Sequence, residues 1–484
     1  MAVSLMIQGT MSNVGKSLIT AGLCRTFMKD GFKVAPFKSQ NMALNSYVTA
    51  DYLEMGRAQA VQAIAAGKEP DVRMNPVLLK PVNDQGSEVI VMGKTVSQMK
   101  AKDYFSYKKS LIPVIKEAYE SLSAENDIVI IEGAGSPVEL NLKQDDIVNM
   151  GLAKMTDAKV LLVGDVDRGG VFAQLLGTLD LFSDDERKRV FGLIVNKLRG
   201  DASLFDDAVK IIEEKGRVPV LGVLPYLDID IEGEDSLEEL LERGRKVLNP
   251  ALDIAVIKTG RVSNYTDIYP FLSIEGVSVR FIESPDEIKN TDLIIIPGSR
   301  NTIGDLRRLK EKGFSKALLD YSREKPVIGI CGGLQMLGIS VSDPQGVEEG
   351  GEEEGFSLLP IKSVLMKDKI KRQVKGNFPK LSSPFKSLSE KEFSGYEIHT
   401  GRSFLTEGGA AITSIQNNNV FGTYIHGFLD MGTLALDLSN DLSKEPLHAA
   451  MNYYDHREAQ IDTLSDMIRE NLDIKEIYRI LGVK

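Results

Sequence analysis

Pro326-Val327-Ile328-Gly329-Ile330-Cys331-Gly332-Gly333-Leu334-Gln335-Met336-Leu337-Gly338 is the stretch whose reading decides the fold. Val327 to Ile330 is a short apolar run of the buried-strand type, and a helical pattern follows Gly333. A strand that turns abruptly into a helix, with a nucleophile at the turn, is a nucleophile elbow, here with Cys331 in place of serine. Gly329 and Gly333, two before and two after the thiol, let strand and helix approach closely. The thiol is then expected at a helix N-terminus, where the dipole favours a thiolate. The competing reading is a buried structural cysteine beside a glycine-rich turn, and the rest of the chain weighs against it.

Upstream of the elbow, strand patterns recur at Asp253–Lys258, Val277–Ile282 and Asp292–Ile296. The third ends in Pro297-Gly298-Ser299, a loop able to offer backbone N–H groups to an oxyanion. Downstream, Val341–Gly355 is acidic and glycine-rich and reads as a mobile surface loop, either a solvated face or a lid over the cysteine. A thiolate nucleophile needs a base within hydrogen-bond reach. The chain has four histidines. Val420–Ile425 reads as a strand that ends at His426, so the ring can project from a sheet edge; His399, in Ser394–Gly401, is the rival. His448 and His456 lie in helical sequence and read as surface residues. From Leu434 to Lys484 the pattern is two or three amphipathic helices.

The first half carries a second organising stretch. The apolar strand Val3–Ile7 runs into Gly9-Thr10-Met11-Ser12-Asn13-Val14-Gly15-Lys16-Ser17 and then a helix. This is a P-loop with one extra residue between the glycines. Its N–H groups suit phosphates, Lys16 suits the β and γ phosphates, and the Ser17 hydroxyl suits Mg²⁺. A second strand, Lys33–Phe37, ends at Lys38-Ser39-Gln40-Asn41, polar groups at the strand end where open α/β sheets bind ligands. Asp51–Gly67 reads as a helix. The buried strand from Asp127 ends in Glu132, placed as a carboxylate that reaches Mg²⁺. Lys159–Gly164, followed by Asp165-Val166-Asp167-Arg168-Gly169-Gly170, then Val190–Val195 before Asn196, and Val220–Leu224 complete a series of strands alternating with helices. The fold expected is α/β, a doubly wound, mostly parallel sheet in each half. Domains are expected at 1–235 and 251–440, with an acidic linker at 236–250 and C-terminal helices, 441–484, packing on the second domain.

At 484 residues the chain has room for two or three domains, and 43% apolar content supports sizeable cores. A net charge of −11 argues against a nucleic-acid surface. Only two cysteines, Cys24 and Cys331, suit a reducing compartment rather than a disulfide framework. With no signal-peptide pattern and no apolar run of spanning length, a cytoplasmic protein without a membrane partner is expected.

Together, GICGGLQMLG and the downstream TYIHG resemble class I glutamine amidotransferase domains, and GTMSNVGKS is similar to the P-loop of dethiobiotin synthetases. The pair resembles the glutamine-dependent cobyrinate amidase-ligases over nearly the whole chain. PFKSQNMALNS, EMGRAQAVQA, NPVLLKP, EGAGSPVELNL, DVDRGGVFA, GYEIHTG and REAQIDTLSDMIREN point to the branch of cobyric acid synthases. The resemblance implies ATP- and glutamine-dependent amidation of the b, d, e and g carboxylates of adenosylcobyrinic acid a,c-diamide in cobalamin biosynthesis. Corrinoid, glutamine and ATP would be its partners, with Mg²⁺ as cofactor, and a homo-oligomer is left open. It implies Cys331 as nucleophile, His426 as proton relay, and Gly298, Gly332 and Gln335 at the oxyanion and glutamine site. It implies Gly9, Thr10, Asn13, Val14, Gly15, Lys16, Ser17 and Asn196 (at adenine) for ATP, and Ser17 and Glu132 for the metal. The wider class has Glu two residues after the histidine; here that residue is Phe428, which leaves the group orienting His426 unidentified and a Cys–His dyad open. The rivals are a cobyrinic acid a,c-diamide synthase, against which the QNM stretch argues, and a ParA-like nucleotide switch, against which the GICGG and TYIHG pair argues.

Overall fold

The apolar runs of the first half pair into one six-stranded sheet, ordered Val220–Pro225, Val190–Leu198, Lys159–Asp165, Val3–Gly9, Ile128–Glu132, Val34–Phe37, with every neighbouring pair parallel. Parallel strands are covered on both faces, so they read as unbroken apolar runs; Ile128–Glu132 is buried along its whole length. The computed structural model describes residues 2–83, 86–227, 229, 231, 244, 246–260, 262–449 and 451–483. Most of the expected linker at 236–250 lies outside the described residues. Among the described residues no helix is long and apolar enough to cross a membrane.

The chain divides into two units, and their boundaries differ from the expected ones in two places. The first unit comprises residues 1–43, 54–235 and 458–484; the second comprises 44–53 and 236–457. The C-terminal helices therefore do not all pack on the second unit. Ile461, Leu464, Ile468, Ile477 and Leu481 are buried in one cluster with Leu5, Ile7, Leu23 and Ile130 of the P-loop sheet. Gly22 makes this approach close: a Cβ there would meet Ile468 Cγ1 at 2.7 Å. An amphipathic pattern shows that a helix has a face to bury, not which core receives it. Leu434–Leu442, by contrast, contributes Leu434, Ala435 and Leu438 to the core of the second unit.

In the first unit, the helix expected over 51–67 spans only Arg57–Ala65. Glu54–Gly56 is extended instead, and the Glu54 carboxylate is buried 2.8 Å from Lys80 Nζ. A buried carboxylate left without its cation costs far more than helix propensity can return. A small second sheet, not anticipated from the sequence, runs Gln40–Met42, Val77–Asn83, Gly86–Val91, Lys94–Lys100.

The second unit is built on a sheet ordered Val277–Ile282, Leu252–Ile257, Leu293–Ile296, Val327–Ile330, Val420–Thr423, Ser414–Asn417. All pairs are parallel except the last. Beside it lies a largely antiparallel sheet whose long strands are Ile361–Asn377 and Glu392–Leu405. The expected single strand ending at His426 is two: Val420–Thr423 stays in the first sheet, while Ile425–His426 pairs with Glu392–Leu405 through Tyr396 and Glu397.

The acidic stretch over 341–355, read as a mobile loop, is held in place. Strands Ser340–Asp343 and Gly351–Glu354 pair, and the Asp343 carboxylate accepts N–H bonds from Val347, Glu348 and Gly350. Glu353 pairs with Arg307 at 2.8 Å and Lys310 at 2.6 Å, both on the helix Thr302–Glu311.

Candidate functional site

In the second unit the elbow has the strain its sequence calls for. Cys331 sits at φ 52°, ψ −105°, outside the ordinary allowed regions, between the strand Val327–Ile330 and the short helix Gly332–Leu337. A Cβ on Gly329 would lie 2.7 Å from the Gly333 backbone, and one on Gly333 would lie 2.0 Å from the Ile296 carbonyl oxygen. The Cys331 N–H donates to the Thr423 carbonyl at 2.8 Å, which ties the elbow to the next strand.

His426 is fully buried beside it. Its Nδ1 lies 2.7 Å from Asp267 Oδ2, and the Gly427 N–H donates to Asp267 Oδ1 at 2.7 Å. Asp267 thus supplies the orienting carboxylate that was left unidentified. Phe428, at the position of the class I glutamate, is buried among Phe378 and Phe421. Burial works against a charged imidazole, but the Asp267 carboxylate and then Cys331 outweigh it and raise the His426 pKa to about 10. His426 Nε2 is buried with no hydrogen-bond partner among the described residues. Tyr396 stacks on the ring, centroids 5.4 Å apart, and its hydroxyl donates to the Ser46 carbonyl at 3.4 Å. The Ser46 N–H donates in turn to Asn264 Oδ1, three residues before Asp267.

His399 is held elsewhere. It lies within Glu392–Leu405, stacks on Tyr424 at 3.8 Å, and has Nδ1 2.6 Å from the Gly401 carbonyl and Nε2 3.5 Å from Glu397. His448 is exposed and outside any helix, whereas His456 is half-buried in Tyr453–Asn471. Gly298 and Gly332 lie close to Cys331 and His426: a Cβ on Gly298 would meet the His426 ring at 3.5 Å, and one on Gly332 would meet the Ser299 N at 2.8 Å. Gln335 is buried, with Nε2 donating to Tyr424 OH at 3.0 Å and Oε1 without a hydrogen-bond partner among the described residues. Cys24, the other thiol, lies in the core of the first unit, and burial and the charge of Glu132 push its pKa far up. It is an inert packing residue.

In the first unit the P-loop residues converge on a cavity of about 520 Å³ lined by Asn13, Lys16, Ser17, Lys38 and Glu132 among others. Gly15, at φ 93°, precedes the helix Lys16–Lys29 in a left-handed conformation that only glycine adopts freely. Gly9 packs under Val14: a Cβ there would lie 2.4 Å from the valine side chain. Thr10 Oγ1 donates to Gln174 at 3.1 Å. Asn196 Nδ2 donates to the Val14 carbonyl at 2.7 Å, and Lys197 Nζ to the Asn13 carbonyl at 2.5 Å, so the end of Val190–Leu198 braces the loop. Lys16 Nζ donates to the carbonyls of Met11 at 3.0 Å and Gly135 at 3.3 Å.

Glu132 is buried and accepts from Ser17 Oγ at 2.8 Å, Lys38 Nζ at 2.9 Å and Gln62 Nε2 at 2.6 Å. Burial would raise its pKa, but the Lys38 ammonium and these three hydrogen bonds hold the carboxyl below the usual range. Lys38 and Gln62 were not singled out for Glu132; the polar end of the second strand was the signal for the first, and Gln62 was marked only as part of EMGRAQAVQA. The Ser17 and Glu132 oxygens fit Mg²⁺, since cis ligands at about 2.1 Å from the ion lie about 3 Å apart.

Residues 253–433 match the CobB/CobQ-like glutamine amidotransferase domain family, and residues 3–231 match an AAA domain. The chain is 50% identical over 502 residues to a cobyric acid synthase of Ruminiclostridium cellulolyticum, covering 99% of this chain and 97% of that one. It is 46% identical to a cobyric acid synthase of Lachnoclostridium phytofermentans, covering 99% of both, and 44% identical to one of Streptococcus sanguinis, covering 100% and 99%. With identity at this level held end to end, the chain belongs to the cobyric acid synthase family.

Proposed function

We propose that the protein amidates the b, d, e and g carboxylates of adenosylcobyrinic acid a,c-diamide, using glutamine as nitrogen source and ATP as activator. The observation that carries this reading is the presence on one chain of a strained thiol elbow with a buried His–Asp pair and a P-loop that closes on a cavity.

In the second unit, the Cys331 thiolate attacks the side-chain amide carbon of glutamine. N–H groups at Gly298 and Gly332 hold the oxyanion, and the free Gln335 Oε1 accepts a hydrogen bond from the substrate. His426 passes its proton to the departing ammonia and then takes one from the water that releases glutamate, while Asp267 keeps Nδ1 engaged throughout. In the first unit, a substrate carboxylate attacks the γ-phosphorus of ATP, ADP leaves, and ammonia displaces phosphate from the acyl phosphate. Lys16 stabilises the charge on the transferring phosphoryl group. Asn196 keeps the loop in shape and offers its remaining amide atoms to adenine. Ser17 and Glu132 would hold Mg²⁺, which neutralises phosphate charge, and Lys38 then passes from Glu132 to the phosphates or the substrate carboxylate.

The test is mass spectrometry of the corrinoid after turnover with glutamine or with ammonia. Cys331→Ser is expected to lose glutamine-dependent amidation and retain the ammonia-dependent reaction. Lys16→Ala is expected to lose both, since its electrostatic role is worth several kcal/mol of barrier. Equal loss of both activities in a folded Cys331→Ser protein would overturn the division of labour.

A further inference from the structure

We propose that an apolar cavity of about 510 Å³ in the first unit seats the corrin ring, with Lys108 pairing with a peripheral carboxylate other than the one that reacts. The proposal rests on the reading that a corrinoid is the substrate, and it names where that substrate lies. The cavity is walled by Leu79, Val89, Met99, Phe105 and Ile147. It adjoins the P-loop cavity: Gln40, Met42, Asp146 and Val148 line both. A ligand whose carboxylate meets the γ-phosphate at one end must leave its bulky apolar body next door, and this cavity is the neighbour.

Three observations point to a ligand there. Met42 is 57% exposed and Phe105 46% exposed, although both are large apolar side chains. Apolar side chains held open along a concave wall mark a binding surface. Lys108 is only 8% exposed, and its one contact of note is the face of the Phe105 ring, 5.3 Å from Nζ. Among the described residues its ammonium has no carboxylate partner and no hydrogen-bond acceptor. A cation so largely withdrawn from water is costly unless an anion completes it, and an anionic ligand entering the cavity does so. Finally, the QNM stretch that sets this branch apart in sequence is the edge strand Gln40–Met42, which stands between the two cavities. The flat apolar faces of a corrin and its rim of carboxylates fit a wall of this kind with one cation in it.

One consequence is discrimination between substrate and product. The product has four fewer carboxylates, so Lys108 has fewer partners to find on it. Isothermal titration calorimetry of the full-length protein with adenosylcobyrinic acid a,c-diamide, with adenosylcobyric acid and with MgATP tests this. The wild-type protein is expected to prefer the a,c-diamide. Lys108→Gln should weaken a,c-diamide binding by about 10- to 100-fold, the range for a hydrogen bond to a charged group, and bring the two corrinoids to similar Kd. Ala101→Trp, an exposed position on the cavity rim, should weaken both corrinoids. Both variants should bind MgATP within about twofold of wild type. A wild-type protein that amidates the corrinoid, with both variants keeping wild-type corrinoid affinity, would overturn the cavity assignment alone. Parallel loss of ATP and corrinoid affinity would overturn the claim of a separate seat. A wild-type protein that neither binds nor amidates the corrinoid would overturn the functional reading and this proposal with it.

Discussion

Asp267 is 159 positions from His426 in sequence, yet it fixes the ring through Nδ1 and fixes the following peptide through Gly427 N–H. A carboxylate at Nδ1 selects the tautomer whose Nε2 is free for the thiol and steadies the imidazolium when it forms. Asp267→Asn should therefore lower the glutaminase rate by roughly 10²- to 10⁴-fold and leave ammonia-dependent amidation intact. His399→Ala should cost much less, because that ring is spent on Gly401 and Tyr424. The same Asp267 variant should lower the His426 pKa from about 10 towards the ordinary histidine value, read by NMR titration of the ring. A pKa raised on folding stabilises the protein fully below about 6.5, and that contribution fades as pH rises through about 10. Cys331 and His426 were legible because each closes a short apolar strand with glycine beside it. Asp267 was not, since it lies in a single 3₁₀ turn, Tyr265–Ile268, with no period to mark it.

The acidic hairpin over 340–354 illustrates what element-scale patterning conceals. Charge density suggested solvent, but the charges are spent on the helix Thr302–Glu311 that follows Gly298–Ser299. Glu348 accepts from the Thr302 N–H at 2.6 Å at that helix's first turn, where orphan N–H groups and the dipole favour a carboxylate. Burial still dominates and pushes its pKa up to about 7. Because the folded state then holds a proton that the unfolded chain has released, this residue makes stability fall as pH rises from about 4.5 to about 7. Denaturant titrations across that window should give a more positive pH slope of stability for Glu348→Gln, by at most about 1.4 kcal/mol per pH unit. An unchanged slope would show that Glu348 titrates normally. The parallel sheets, by contrast, were readable almost strand by strand, since burial on both faces leaves an unbroken apolar run. The small sheet from Gln40 to Lys100 was not, because its outer strand, Lys94–Lys100, is mostly exposed and polar.

At the scale of the molecule, the last residues close the first unit. Ile461, Leu464, Ile468 and Ile477 are essentially fully buried in the P-loop core. At about 1.5–3 kcal/mol each, they rival the whole net stability of a typical domain, about 5–15 kcal/mol. Deleting residues 458–484 should therefore unfold the P-loop unit and spare the thiol unit. Limited proteolysis read by mass spectrometry should show cleavage throughout 54–227 and protection of 251–449; the reverse pattern would return the helices to the second unit.

The division of the chain also has a consequence for its synthesis. The path passes between units four times, after residues 43, 53, 235 and 457. On a ribosome adding about 5–20 residues per second, the P-loop sheet waits while residues 236–484 are made, roughly 12–50 s, before its closing helices emerge. Throughout that interval the surface around Gly22 that receives Leu464 and Ile468 is open. An apolar face open for that long is the kind of surface that aggregates unless it is shielded, and a chain cut near residue 457 leaves the half made first as the half that never closes.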